Sequence, residues 1–287
     1  MSRKIVRLCR SLYGLKQASR QWHNHLTKCL RDMGFEQCLA DSCVFRLMED
    51  SRVIITLVVY VDDIFAVGDK DRCDEFGVEL NKMVPVKNLG DLRWYSGLYY
   101  ERDIERGTIK ISQQTYAEEL AKEYGVVNGK SIPMSASVKL EEFSAEEETT
   151  SFPLRELVGS LMWLATQTRP DISNAVHAVA RYCASPKLIH WRTALGILGY
   201  VRRTSSLGIT FYRGSVAGLR LQVFSDADYA SKATDRRSVS GGLIMCGDGC
   251  VSWFSRTQKC VILSTAESVM RTNRRTVVIE LGKCKTV

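Results

Sequence analysis

Two adjacent aspartates, Asp62 and Asp63, interrupt the most apolar stretch of this 287-residue chain. Residues 53–61 before them and 64–68 after them are mostly β-branched or aromatic, and each run has the length of a strand. The segment is therefore predicted to be a β-hairpin with the aspartates at its tip, lying against a core. Buried carboxylates need a compensating partner, and divalent cations are one such partner. Because Asp is also a common turn residue, the spacing leaves both a polar turn and a metal site open.

Other residue types with metal or acid–base chemistry form weaker patterns. His25 and Cys29 are one helical turn apart, but a zinc site needs three or four ligands, so we predict no zinc site. The ten cysteines contain no C-x-x-C pair and are interpreted as reduced, intracellular thiols. His177 and His190 lie in or beside helical patterns and are interpreted as structural residues.

Charge is unevenly placed along the chain. The net charge is +8 and the pI is about 9.0, and the first 31 residues contain eight cations and no acidic residue. A polyanion is the natural partner of such a segment, and the interleaved aromatics Tyr13 and Trp22 favour nucleic acid. A solvated surface or a disordered arm is the alternative. The eight cations are Arg3, Lys4, Arg7, Arg10, Lys16, Arg20, Lys28 and Arg31.

Composition is that of an ordinary globular protein, with 45% hydrophobic and 25% charged residues. No apolar h-region follows the first residues, and no apolar run is long enough to span a membrane. We therefore expect a protein without a signal peptide or transmembrane segment, located inside the cell.

Periodicity places several elements around these residues. Helices are predicted at 20–33, 70–83 and 115–124, and strands at 94–101 and 108–112. Residues 128–151 have the Ser, Pro and Glu content of a solvated linker. Three helices with apolar stripes follow, at 154–165, 172–183 and 191–201. Short strands then follow at 209–212, 219–224, 238–245 and 250–254.

Several ordered words in the chain resemble one family. Residues 12–22 read LYGLKQASRQW, residues 60–63 read YVDD, and NLGDL, VGSLMW and TRPDI follow at 88–92, 158–163 and 168–172. Further on stand SDADYA at 225–230, SVSG at 238–241, VSW at 251–253 and LSTAES at 263–268. In this order they resemble the reverse transcriptase and ribonuclease H region of copia-type LTR retrotransposon polyproteins, over about residues 5–269.

For the polymerase part, the resemblance implies that Asp62 and Asp63 are palm carboxylates that bind Mg²⁺. Such enzymes transfer a phosphoryl group with two divalent ions. It also implies a nucleotide- and nucleic-acid-binding segment that consists of Tyr13, Gly14, Lys16, Gln17 and Arg20. Tyr95-Ser96-Gly97 departs from the Phe-Leu-Gly that the family usually shows.

For the second part, the resemblance implies a ribonuclease H in which Asp226 and Glu267 are catalytic and metal-binding. Glu267 is expected at the start of a helix, and Asp228 is expected to be a neighbour of the site without being a ligand.

Two features of the chain depart from a complete enzyme. The family carries a third palm carboxylate on a segment upstream of this sequence. Two more ribonuclease H aspartates are expected after Glu267, but the family pattern stops at Met270.

We therefore expect an α+β fold that comprises a partial palm and thumb with a catalytic hairpin turn, a helical connection and the first part of a ribonuclease H-like α/β domain. The predicted segments are 1–127, 128–151, 152–208, 209–270 and a divergent basic tail at 271–287. Such a fragment would be inactive alone, and a non-catalytic nucleic-acid-binding relic or adopted host protein is the alternative. The implied partners are an RNA template and DNA primer, or an RNA–DNA hybrid, in the cytoplasm (in a virus-like particle for the parent family) or the nucleus.

Overall fold

A computed structural model describes residues 12, 14–140, 149–214, 221–228, 236–261 and 264. The chain divides into two compact units, Met1–Asp91 and Leu92–Val287.

The first unit contains two helices and one antiparallel sheet of four strands. Its elements are α1 (Ala18–Asp32), β1 (Phe35–Gln37), β2 (Val44–Glu49), β3 (Arg52–Tyr60), β4 (Asp63–Gly68) and α2 (Lys70–Met83), and the sheet order is β1-β2-β3-β4. Alternate residues of β3, namely Ile55, Leu57 and Val59, are buried, as expected for a strand with one face on a core. The core also includes Leu30 of α1 and Leu80 of α2.

Sequence patterns predicted both helices and the β3–β4 hairpin of this unit but missed β1 and β2. Both missed strands are short and charged: β1 reads Phe-Glu-Gln, and β2 contains Arg46 and Glu49. Their pairing partners stabilise them, because Phe35 pairs with Leu47 and Phe45 pairs with Leu57. These cross-strand contacts are not visible in local sequence.

The second unit combines two antiparallel sheets with a group of helices. Its elements are β5 (Trp94–Tyr95), β6 (Leu98–Asp103), β7 (Thr108–Ser112), α3 (Gln114–Glu123), α4 (Leu154–Gln167), a 3₁₀ turn (Pro170–Ile172), α5 (Ser173–Ala180), α6 (Leu188–Arg203), β8 (Gly208–Tyr212), β9 (Leu221–Ala227), β10 (Val239–Cys246) and β11 (Gly249–Thr257). The sheet orders are β5-β6-β7-β8 and β11-β10-β9. Strand β8 thus returns to pair with β7, with Phe211 opposite Ile109.

Helices α3 to α6 enclose the larger hydrophobic core, in which Leu157, Val176 and Ile197 are fully buried. Residues 128–140 contain no helix or strand, and they run along this helical group. The N–H of Lys130 donates to the Gly199 carbonyl (3.2 Å), and Leu140 is 6% exposed.

The sheet of β9 to β11 is tied to the helices through β11. The indole Nε1–H of Trp253 donates to the carbonyl of Ala165 in α4 (2.6 Å). The mixture of helices and antiparallel sheets confirms the predicted α+β class. Among the described residues, no helix is both long and apolar enough to cross a membrane.

Candidate active site

The two aspartates lie at the tip of the β3–β4 hairpin. Tyr60 pairs with Asp63 across the ladder, so that Val61 and Asp62 form a two-residue turn. Asp63 begins β4, and Asp62 immediately precedes it. The hairpin therefore presents two carboxylates on consecutive residues at one end of the sheet.

The tip is exposed within the first unit, in contrast to the expectation that it lies against a core. Asp62 and Asp63 are exposed, as are Tyr60 (61%) and Val61 (60%). The last core residue of β3 is Val59, and the strand runs past the core from there. The two carboxylates consequently remain hydrated. A cation would be attracted by the combined negative charge of two carboxylates on consecutive residues and not by their burial.

The turn that holds the aspartates contains an unusual backbone conformation. Val61 has φ +54°, in the left-handed region that costs an L-residue about 1–2 kcal/mol and that β-branched residues rarely adopt. The favoured two-residue hairpin turns require positive φ at the first turn position, which is why Gly, Asn or Asp usually occupies it. The strain resides in the residue that precedes Asp62.

A contact from α1 reaches this turn. The indole Nε1–H of Trp22 donates to the carbonyl of Val61 (2.9 Å). The sequence patterns identified Trp22 as an apolar residue of the 20–33 helix, as an aromatic of the type that contacts nucleic acid, and as the last residue of a motif. One sequence signal could have indicated this contact: the motif LYGLKQASRQW, which ends at Trp22, and the motif YVDD, which contains the aspartates, belong to the same ordered set of family motifs.

The predicted nucleotide-binding segment lies before and at the start of α1. Gly14 has φ +90°, a conformation that favours glycine, and Lys16, Gln17 and Arg20 are exposed. Gln17 is the residue that precedes the first turn of α1. Tyr13 lies outside the described residues.

The predicted ribonuclease H residues are only partly described. Asp226 is exposed and lies within β9 rather than after it, opposite Gly241 of β10. Its Oδ1 accepts the N–H of Ala227 (2.8 Å), and Asp228 accepts the N–H of Val239, which joins β9 to β10. Glu267 lies outside the described residues, so its predicted helix is untested.

The donor set at the hairpin tip suits a hard divalent cation, because carboxylate oxygens are the ligands that Mg²⁺ prefers. It supplies two residues, and the described part of the chain contains no group of three or more His, Cys, Asp or Glu residues that could hold a metal ion. The other two-residue pattern noted in the sequence, His25 and Cys29, has its His25 Nε2 atom 3.9 Å from Cys29 Sγ.

Comparison with known proteins decides the family. A family model described as reverse transcriptase (RNA-dependent DNA polymerase) matches residues 1–136. The chain is 30% identical over 255 residues to the putative transposon Ty5-1 protein of Saccharomyces cerevisiae, with 88% of this chain and 81% of that protein covered. The chain belongs to the copia-type retrotransposon reverse transcriptase family.

Longer members of this family match nearly the whole chain. The retrovirus-related Pol polyprotein from transposon TNT 1-94 of Nicotiana tabacum is 33% identical over 92% of this chain, and that from transposon RE2 of Arabidopsis thaliana is 33% identical over 93%. The chain spans about a fifth of the length of these relatives, 20% and 18% respectively. No solved structure matches it.

The reverse transcriptase match contains the hairpin and the segment before α1. Residues 1–136 include Gly14, Lys16, Arg20 and both aspartates of the turn, whereas Asp226 lies beyond them. The family relationship therefore bears most directly on the hairpin-tip site.

Proposed function

We propose that Asp62 and Asp63 bind Mg²⁺ in the polymerase site of a copia-type reverse transcriptase, of which this chain is a part. The observation that supports this role is the turn itself: it presents two exposed carboxylates on consecutive residues, inside the region that matches the reverse transcriptase family.

The chemistry of the reaction explains why such a pair is useful. Asp62 and Asp63 would hold divalent ions, which when bound would activate the attacking 3′-hydroxyl and stabilise the leaving pyrophosphate. The carboxylates of Asp62 and Asp63 supply negative charge and hard oxygen ligands at one point. Lys16, which precedes α1, and Arg20, in the first turn of α1, are exposed; they contact phosphates of the nucleic acid and hold its backbone near the protein.

The chain alone does not catalyse DNA synthesis. Two carboxylates leave a two-ion site without full charge compensation, and the described residues hold no third ligand near them. Cation affinity at the turn is correspondingly weak, because affinity depends on the number and charge of the ligands.

Manganese(II) binding tests the metal role, because Mn²⁺ accepts the same oxygen ligands and is detected by electron paramagnetic resonance. We expect the wild-type chain to bind Mn²⁺ and the double variant Asp62→Asn plus Asp63→Asn to lose that binding. The matched control, Asp71→Asn plus Asp74→Asn on the exposed surface of α2, should retain it. Identical titrations of the wild type and the Asp62–Asp63 double variant would exclude the metal role.

We also assign residues 209–270 to a ribonuclease H-like domain. Strands β9, β10 and β11 form a consecutive antiparallel sheet, and β9 presents Asp226. Asp226 and Glu267 would bind Mg²⁺ and cleave the RNA strand of an RNA–DNA hybrid. Residues 1–127 are assigned to the polymerase part and residues 152–208 to the helical connection.

A non-catalytic nucleic-acid-binding role is a second candidate, supported by the exposed cations of the α1 region. Lys16, Arg20, Lys28 and Arg31 are all exposed, and α1 has no acidic residue in its first turn. This role predicts RNA or DNA binding that survives Asp62→Asn plus Asp63→Asn. The absence of binding at low salt would exclude it.

A further inference from the structure

The turn that presents Asp62 and Asp63 is strained and needs external support. Val61 is β-branched and adopts φ +54°, and conformations of this kind persist only where the surrounding structure holds them. Val61 is 60% exposed, so close packing of its own side chain does not supply the support. The backbone of the turn must be held in another way.

The hydrogen bond from Trp22 is suited to that task. Its indole Nε1–H donates to the carbonyl of Val61 at 2.9 Å. That carbonyl belongs to the peptide group between Val61 and Asp62, so fixing it sets the direction in which the chain enters Asp62 and then Asp63. The contact joins positions 39 residues apart in sequence.

Trp22 is itself firmly anchored. It is half-buried on α1 and packs against the core of the first unit, one helical turn before the buried Leu26. Leu26 is 1% exposed and Leu30 is fully buried. The helix can therefore transmit the rigidity of the core to the exposed turn.

We infer that Trp22 is a positioning residue for the Asp62–Asp63 pair. It acts through the Val61 carbonyl and does not itself contact the cation. The inference rests on the proposed metal role of the two aspartates. Because α1 also bears Arg20, the same contact fixes the position of this proposed phosphate-binding residue relative to the two carboxylates within the first unit.

The variant Trp22→Phe removes the N–H donor and keeps an aromatic ring, although a smaller one, against the core, so a second variant must report the effect of packing alone. Leu30→Val is the packing control, because it trims a buried residue of the same helix without touching the turn. Asp62→Asn is the control for metal binding.

The measurement is nuclear magnetic resonance of the ¹⁵N-labelled full-length chain, with Mn²⁺ as the probe. In the wild type, Mn²⁺ should broaden the amide signals of residues 61–64. Trp22→Phe should shift these amide signals in the absence of metal and weaken Mn²⁺ binding about twofold to tenfold, the range expected for one lost hydrogen bond. Leu30→Val should lower thermal stability and leave both readouts unchanged.

The possible outcomes distinguish the inference from the function on which it rests. If Asp62→Asn leaves the broadening intact, the metal role fails. If Asp62→Asn removes the broadening and Trp22→Phe changes neither the amide shifts nor the Mn²⁺ midpoint, the positioning role alone fails.

Solvent exchange of the indole protons in the wild type gives a test that does not depend on the variant folding. The Trp22 indole proton should exchange more slowly than that of Trp94, which is 58% exposed, and more slowly still when Mg²⁺ is added. Equal rates for the two tryptophans would overturn the inference.

Discussion

At position 242 of β10, the lack of a side chain leaves room for an aromatic side chain of β11 in the sheet of β9 to β11. Gly242 of β10 pairs with Phe254 of β11, and an added Cβ would overlap the Phe254 ring. Among the described residues, an added Cβ at the neighbouring Gly241 would meet only the Asp226 carbonyl, at 4.0 Å. Two adjacent glycines of one strand thus differ sharply in the space above them.

We expect Gly242→Ala to lower the free energy of unfolding by about 1–3 kcal/mol, the usual cost of overpacking. The control Gly241→Ala should change it by less than about 0.5 kcal/mol. Urea denaturation of both variants checks this, and equal effects would show that the Phe254 ring does not close over Gly242.

Asp171 is held in its charged form by its neighbours. Burial alone would raise its pKa, but the hydrogen bonds and charge of Arg169, together with the Tyr200 hydroxyl, lower the pKa below its usual value. Both guanidinium contacts are short, at 2.9 and 2.8 Å, and Arg169 is 2% exposed.

Because the folded-state pKa of Asp171 is depressed, its stabilisation is present above the unfolded-state value of about 3.9 and is lost as the pH falls through the folded-state pKa. Asp171→Asn should therefore destabilise the chain by about 1–3 kcal/mol at pH 7, with a smaller difference at pH 3. Urea denaturation at the two pH values measures this. A difference that does not shrink on acidification would contradict the ion-pair account.

At the scale of elements, the start of α6 is fixed by one buried histidine. His190 is fully buried, its Nδ1 accepts the N–H of Lys187 (2.8 Å), and its Nε2–H donates to the carbonyl of Leu140 (2.9 Å). Its ring stacks on Tyr182 at 4.1 Å. The residue joins the first turn of α6 to the segment that precedes α4, which agrees with the structural role predicted for it.

His190→Phe should lower the free energy of unfolding by about 2–5 kcal/mol, since it leaves a partly buried N–H and a buried carbonyl unpaired. Arg192→Ala, at an exposed position of the same helix, should have an effect below about 0.5 kcal/mol. Urea denaturation monitored by circular dichroism compares them. Equal stability of the His190→Phe variant and the wild type would show that these bonds do not stabilise α6.

Sequence patterns predicted elements best where apolar periodicity was strong. The apolar stripe of α4 and the β-branched run of β3 predicted these two elements correctly, and each buries one face on a core. The burial of the hairpin tip was predicted wrongly, since the length of an apolar run does not reveal where the core beneath it ends. The contact from Trp22 to Val61 could not be predicted, because it depends on how α1 lies against the sheet.

At the scale of the whole molecule, the excess of cations should govern binding to nucleic acid. Neutralising a phosphate releases counterions, so each lost contact reduces the slope of log affinity against log salt by about one. Lys16→Ala plus Arg20→Ala should therefore reduce the slope by about two for any nucleic-acid sequence. Fluorescence anisotropy over a salt series measures it, with Lys82→Ala plus Lys87→Ala at exposed positions as control. An unchanged slope would place the contact surface elsewhere.

We propose that Asp62 and Asp63 form part of a polymerase site in this member of the reverse transcriptase family and that the chain is inactive alone. Primer extension by the purified chain, on an RNA template with a DNA primer and Mg²⁺, tests it most directly. We predict no extension by the wild type or by Asp63→Asn. Extension by the wild type that Asp63→Asn abolishes would contradict the account, because it would show a complete active site in this chain.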